Sequence, residues 1–165
     1  MSIAEIERKV LEALDGLGIP YVRHEHPPVA TVEAAEKHWG GLRGTHCKNL
    51  FLRNYKGNHH YLVIAPVTRG IDLKRLTAEL GEDRLSFASA ERLKRRLGVE
   101  PGSVSPFGLI NDEAREVRVV CDAALRSGQA LGFHPNVNTA TLEISLADFE
   151  KFLAWRGNAV RWLEL

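Results

Sequence analysis

The sequence predicts a mixed α and β fold in a single compact domain spanning residues 1–165. Apolar residues recur at helical spacing near both ends and in the middle of the chain. Short runs rich in β-branched and aromatic residues alternate with those helical segments. A chain of 165 residues, 44% of them apolar, can bury one sizeable core and is short for two.

Ile3, Ile6, Val10, Leu14 and Leu17 make a helical stripe, with Ser2 and Glu5 spaced as a capping box and Gly16 and Gly18 as stop signals. Residues 19–23 read as a short strand, with Pro20 near its start, where a missing amide hydrogen is tolerable. Beyond Pro27-Pro28, Thr31 is placed to cap a second helix that runs to about Trp39 and stops at Gly40-Gly41.

The stretch 45–52, Thr-His-Cys-Lys-Asn-Leu-Phe-Leu, leads into a strand. Strict alternation puts Lys48 on the face of Leu50 and Leu52, and Asn49 on the face of Cys47 and Phe51. Runs 50–52 and 61–67 flank a polar segment, 53–60, whose Asn and Gly residues predict an antiparallel hairpin with both histidines, His59 and His60, in the turn. Asp72 caps a helix carrying Leu73, Leu76 and Leu80, closed by Gly81. Residues 85–88 read as a short strand. Ser89 then caps a helix with Ala90, Leu93 and Leu97 on one face and Arg92, Lys94, Arg95 and Arg96 elsewhere.

Segment 98–108, Gly-Val-Glu-Pro-Gly-Ser-Val-Ser-Pro-Phe-Gly, is too rich in Gly and Pro for a regular element and reads as a structured loop. Residues 109–110 and 117–121 read as strands around a charged turn, and 122–125 as a single helical turn. Residues 131–134 lead into Pro135-Asn136-Val137-Asn138, and 139–145 alternate in strand fashion. Ser145 with Asp148 starts a helix bearing Leu146, Phe149 and Leu153, and a short strand at 160–163 follows.

The charge balance, 22 basic against 21 acidic residues, argues against wrapping duplex DNA or coating an anionic membrane, so no DNA or membrane partner is expected. Cys47 and Cys121 are far apart in apolar contexts and read as reduced thiols. The first residues are amphipathic and acidic, unlike a leader peptide, and no apolar run approaches membrane-spanning length. The expectation is a soluble, cytoplasmic protein.

The chain lacks a phosphate-loop signature, a dinucleotide glycine fingerprint, a His-Glu-x-x-His helix and a serine-hydrolase elbow. His24-Glu25-His26 with His59-His60 could supply metal ligands, but the second pair falls in a predicted turn and no cysteine cluster completes a site. Neither a metal nor a cofactor is expected. Lys48 either snorkels from a strand mouth or lines a pocket, since an ammonium is rarely buried unpaired. His134 before a proline is commonly a backbone-bonded residue, Asn136 and Asn138 are ordinary turn residues, and the basic helix is either a solvated face or one that meets phosphates.

Three pieces in this order change those odds: Cys47-Lys48-Asn49-Leu50-Phe51-Leu52, the 98–108 loop, and the block 132–141 containing Phe133-His134-Pro135-Asn136-Val137-Asn138. Together they resemble the YbaK and prolyl-tRNA-synthetase-associated editing domain family, most nearly its freestanding ProXp-ala (PrdX-type) branch. The resemblance implies a central, mainly antiparallel, barrel-like sheet surrounded by helices. It also implies a trans-acting deacylase for alanine mischarged onto proline tRNA, with cysteine-tRNA(Pro) deacylation or a non-catalytic tRNA-binding or regulatory role as alternatives.

By the same resemblance Lys48 is the catalytic residue, and Thr31, Asn49, Gly102, Ser103, His134 and Asn138 contact substrate. The partners are the acceptor end of a mischarged tRNA and, as a candidate, prolyl-tRNA synthetase. An aminoacyl ester is already activated, so a positioned water and stabilisation of the developing oxyanion suffice without a triad. The amides of Gly102, Ser103 and Val104 are candidate oxyanion donors. Val29, Ala30 and Thr31 are candidate walls of an alanine-sized pocket. Lys37, Arg43 or the basic helix are candidate contacts for the acceptor end.

Overall fold

The computed structural model describes residues 1–28 and 44–165. The expected second helix, at 31–39, lies outside the described residues. Helix α1 (Ile3–Gly16) starts at the predicted capping box: the Glu5 amide donates to Ser2 Oγ at 3.2 Å, and the Ser2 amide to Glu5 Oε2 at 3.4 Å. Its stripe buries Val10 and Leu14. Strand β1 (Val22–Glu25) begins later than the sequence suggests, because Ile19 belongs to the turn that closes α1, where its amide donates to the Leu14 carbonyl at 2.9 Å.

Strand β2 (Thr45–Asn54) runs antiparallel to β3 (His60–Pro66), giving the expected hairpin with a shorter turn. His60 is thereby the first residue of β3, only 2% exposed, and not a turn residue. Helix α2 (Leu73–Glu79) is capped by Asp72, strand β4 (Leu85–Phe87) follows, and helix α3 (Ala90–Leu97) is capped by Ser89 and closed by left-handed Gly98.

Residues 109–110 form no strand. They lie in a 3-10 helix, Pro106–Asn111, which Pro106 favours by presetting its backbone angle and lacking an amide hydrogen that the first turn does not use. Ser105 Oγ caps it by accepting from the Phe107 amide at 3.1 Å. Strand β5 (Arg118–Asp122), a second 3-10 turn (Ala123–Ser127), β6 (Ala130–Phe133), β7 (Ala140–Ser145), α4 (Leu146–Arg156) and β8 (Val160–Leu163) complete the order.

The sheet runs β1-β7-β6-β2-β3-β5-β8, with β4 on β2. Pairings β1–β7, β6–β7, β2–β3 and β2–β4 are antiparallel; β2–β6, β3–β5 and β5–β8 are parallel. Side chains sort by strand alternation. Phe51, Leu62, Ile64, Val119 and Cys121 meet α1, α3 and α4 through Leu14, Leu93, Leu97, Phe149 and Phe152 in the main core. Leu52, Tyr61, Val63 and Val120 form a second cluster with Leu76 of α2 and Leu85 of β4.

Strand β2 changes neighbours along its length, which opens the sheet. On the side away from β3, Thr45 and His46 pair with Leu131 and Gly132 of β6, whereas Leu52, Arg53 and Asn54 pair with β4. Among the described residues, Lys48, Asn49 and Leu50 have no strand on that side.

Candidate active site

Lys48 and Asn49 stand at that opening, opposite Ala65 and Ile64 of β3. Both are half-buried. Alternation turns Lys48 toward the Leu52 face and Asn49 toward the main core, as the sequence predicts. Among the described residues, Asn49 Oδ1 is buried without a hydrogen-bond partner. Such an oxygen costs about 1–3 kcal/mol until a donor reaches it.

The parallel β2–β6 pairing ends at His46 and Gly132, so Lys48 and His134 each follow its last pair by two residues, His134 just past the end of β6. His134 Nδ1 lies 2.8 Å from the Ala140 carbonyl, so that nitrogen carries the proton and Nε2 is left with a lone pair. Burial, with the neighbouring His26 acting in the same sense, lowers the His134 pKa against the opposing Ala140 hydrogen bond, so the ring is neutral at physiological pH.

His26 packs edge-on against His134 with ring centroids 5.8 Å apart. Its Nδ1 donates to the Pro27 carbonyl at 3.0 Å, which leaves Nε2 to accept from the Thr141 hydroxyl at 2.9 Å. The pair fixes the orientation of His134. Sequence reasoning weighed His26 only as a metal ligand; its position before Pro27-Pro28, where it turns into the sheet, was the available signal.

The Gly102 loop and the 134–138 loop face each other. Gly102 adopts a φ of 89°, which favours glycine, and a Cβ there would lie 4.0 Å from Asn138 Nδ2. The Ser103 amide donates to the Glu100 carbonyl at 3.0 Å, so it closes a turn and is not a free oxyanion donor. The amides of Gly102 and Val104 remain for that role. Ser103, Asn136 and Asn138 help line a cleft of about 170 Å³ together with Ile3, Ile6 and Lys94. Asn136, read from sequence as a turn residue, is indeed left-handed at φ 63°, but it is also buried, with Oδ1 unpaired among the described residues.

Gly102, Ser103 and Asn138 are therefore brought together, whereas Lys48, Asn49 and His134 follow the last β2–β6 pair on their two strands without a side-chain hydrogen bond among them. Thr31, with Val29, Ala30, Lys37 and Arg43, lies outside the described residues. Cys47 and Cys121 are poor nucleophiles, since burial pushes both thiols up to about 12.

Among the described residues no three His, Cys, Asp or Glu side chains are grouped to hold a metal ion. His59 instead bonds Glu82 Oε2 through Nδ1 at 2.8 Å, and His60 stacks on Phe51 with centroids 5.5 Å apart. On the basic helix, Lys94 pairs with Glu100, Arg95 with Glu91 and Arg96 with Glu116.

The family model for the aminoacyl-tRNA editing domain matches residues 26–152. The chain is 44% identical over 161 residues to the prolyl-tRNA editing protein ProX of Acetoanaerobium sticklandii, covering 98% of each chain. It is 35% identical over 162 residues to prolyl-tRNA synthetase associated domain-containing protein 1 of Bos taurus, covering 96% of this chain and 94% of that one. A crystal structure described as a candidate trans-editing enzyme for prolyl-tRNA synthetase superposes with a TM-score of 0.73 at 22% identity, over 99% of both chains. It shares the fold.

Proposed function

The chain belongs to the aminoacyl-tRNA editing domain family, and on that premise we propose that it is a trans-acting deacylase that hydrolyses the ester of alanine mischarged onto proline tRNA. The observation that carries the reading is the opening in the sheet beside β2. Supporting it are a lysine and an amide oxygen without a donor among the described residues, at the strand end of the β2–β6 pairing from which the other strand leads to a neutral histidine whose Nε2 can accept a proton.

Lys48 supplies the charge that holds the terminal adenosine's phosphate or the ester, and acts as a positioner. Asn49 Oδ1 accepts from the substrate's amino or hydroxyl group. His134 Nε2 orients the attacking water or the free ribose hydroxyl, which itself can help activate that water. As the tetrahedral oxyanion forms, the amides of Gly102 and Val104 are the donors on hand. Asn138 and Ser103 shape the wall facing them. Thr31 stands with Val29 and Ala30 as the steric screen that admits a methyl side chain and rejects a proline ring. Clash discriminates more sharply than the ~1–3 kcal/mol that one methylene's burial supplies. The partner is the acceptor end of the tRNA, with prolyl-tRNA synthetase a candidate for delivering it in the cytoplasm.

The test is hydrolysis of proline tRNA charged separately with alanine, cysteine, serine and proline. Alanine should be removed fastest and proline spared. Lys48→Ala should lower kcat/KM for the alanyl ester by roughly 100-fold or more, the scale of losing one charge-stabilising contact. Equal rates for Lys48→Ala and parent remove the lysine from the mechanism. Preference for the cysteinyl ester would reassign the substrate, and tRNA retention without ester loss would make the protein a binding module.

A further inference from the structure

We propose that Arg53 and Arg92 form a phosphate-binding site for the RNA backbone at the tip of the β2–β3 hairpin, apart from the ester site; the inference rests on the tRNA-deacylase reading and extends it to a second contact. The two guanidinium groups converge over Gly57. A Cβ on that residue would lie 2.8 Å from Arg92 Nη2 and 3.1 Å from Arg53 Nη2. Gly57 also needs its φ of 73°, so the apex is bare for two independent reasons.

Both arginines are held by neutral acceptors. Arg53 Nε donates to the Asn54 carbonyl at 3.1 Å and Nη2 to the Tyr55 carbonyl at 2.8 Å. Arg92 Nη1 donates to the Gly57 carbonyl and to His60 Nε2, each at 3.1 Å. The other three basic residues of α3 each have a carboxylate. Two like charges sharing one corner with only neutral partners among the described residues, and donors to spare in each fork, suit an anion with several oxygens.

The surroundings fit a nucleotide chain rather than a free ion. Tyr55 is 70% exposed at the same turn, an aromatic face on which a base can stack, and Lys56 beside it is also exposed. The acids nearest the turn, Glu82 and Asp83, line a cleft with Asn54, His59, Tyr55 and Lys56, and Glu82 joins Tyr61 on the sheet face opposite the one that carries Arg53. Arg53 shares the face of Asn49 by strand alternation and lies about 13 Å from it along β2. An acceptor end whose ester occupies the Lys48–Asn49 opening thus has its preceding phosphates within reach.

The experiment compares parent, Arg53→Gln with Arg92→Gln, the charge-keeping Arg53→Lys with Arg92→Lys, and Arg75→Gln on α2 as a charge control. Uncharged proline tRNA is titrated at several salt concentrations, and hydrolysis is followed on alanyl-tRNA(Pro) and on 3′-O-alanyl-adenosine, which carries no phosphate. The glutamine pair should weaken tRNA binding at least ~10-fold and flatten the log K against log salt slope by about 1 to 2, the value of one or two lost phosphate contacts. It should raise KM for alanyl-tRNA and leave 3′-O-alanyl-adenosine hydrolysis at the parent rate. The lysine pair should keep most of the slope. An unchanged slope, an equal loss with Arg75→Gln, or an equal loss on 3′-O-alanyl-adenosine overturns the site. If the parent cleaves neither ester while the glutamine pair still flattens the slope, the deacylase reading fails and the phosphate site stands.

Discussion

His60 is the residue through which pH should act on stability. A guanidinium cannot give up its proton in this range, so the Arg92 bond to Nε2 requires a neutral imidazole. Burial foremost, and then the charges of Arg96, Arg92, Arg53 and Arg95, lower its pKa to about 4 from the ordinary 6.5. Between those values the unfolded chain binds a proton that the folded one refuses, so stability falls as pH drops through this window and is level above it. His46 and His134, also lowered chiefly by burial, add in the same direction. His60→Gln keeps an acceptor for Arg92 and cannot titrate. Urea midpoints measured from pH 7 to 4.5 should fall less steeply for this variant than for the parent, and parallel curves would discharge His60 from the role. The residue was misread from sequence for a physical reason: Asn54, Gly57 and Asn58 announce a turn, but where the ladder resumes depends on the stack of His60 on Phe51 from the other strand. The facing of Lys48 and Asn49, by contrast, needed only alternation.

At the level of elements, Asp112 ties three pieces of chain that the sequence does not visibly connect. Its carboxylate accepts from the Glu116 amide at 3.2 Å, the Val117 amide at 2.9 Å and Asn158 Nδ2 at 2.8 Å, and the side chain is 6% exposed. The end of the 3-10 helix, the approach to β5 and the loop between α4 and β8 are thereby held together. Asp112→Ala leaves the buried Val117 amide and the part-buried Glu116 amide without acceptors, while Asn158 Nδ2 keeps only the Val117 carbonyl at 2.8 Å, and should cost about 2–4 kcal/mol. A chemical-denaturation loss under 1 kcal/mol would show that water replaces the carboxylate. Helix starts were readable because a cap is local: Ser2, Asp72, Ser89 and Ser145 each bond amides two or three residues on. The 109–110 error has the converse cause. Leu109 is fully buried, and two apolar residues satisfy a core equally from a strand or a 3-10 turn, so burial could not tell them apart.

For the whole molecule, the long-range closures were beyond periodicity. Strand β1 pairs Val22 with the distant Glu143, and the opening beside Lys48 lies between two partners of β2 that periodicity does not connect to it: β6, which Thr45 meets at Leu131, and β4, which Leu52 meets at Phe87. What the full sequence does state is the charge, +1 overall, and with it how such a protein meets a polyanion. A surface of mixed sign gives little general attraction, so on the proposed reading binding comes from a few placed cations, Lys48 at the terminal adenosine's phosphate and Arg53 with Arg92 at the hairpin tip. Each neutralised phosphate contributes roughly 0.7 to 0.9 to the dependence of log K on log salt. Three contacts therefore predict a slope near −2 to −3 for log kcat/KM on alanyl-tRNA(Pro), measured under conditions where kcat itself is insensitive to salt. A slope of −6 or steeper would mean that many more phosphates are engaged than these cations can meet. A slope near zero would place recognition in contacts to bases and sugars, and would remove the electrostatic part of the substrate-binding account.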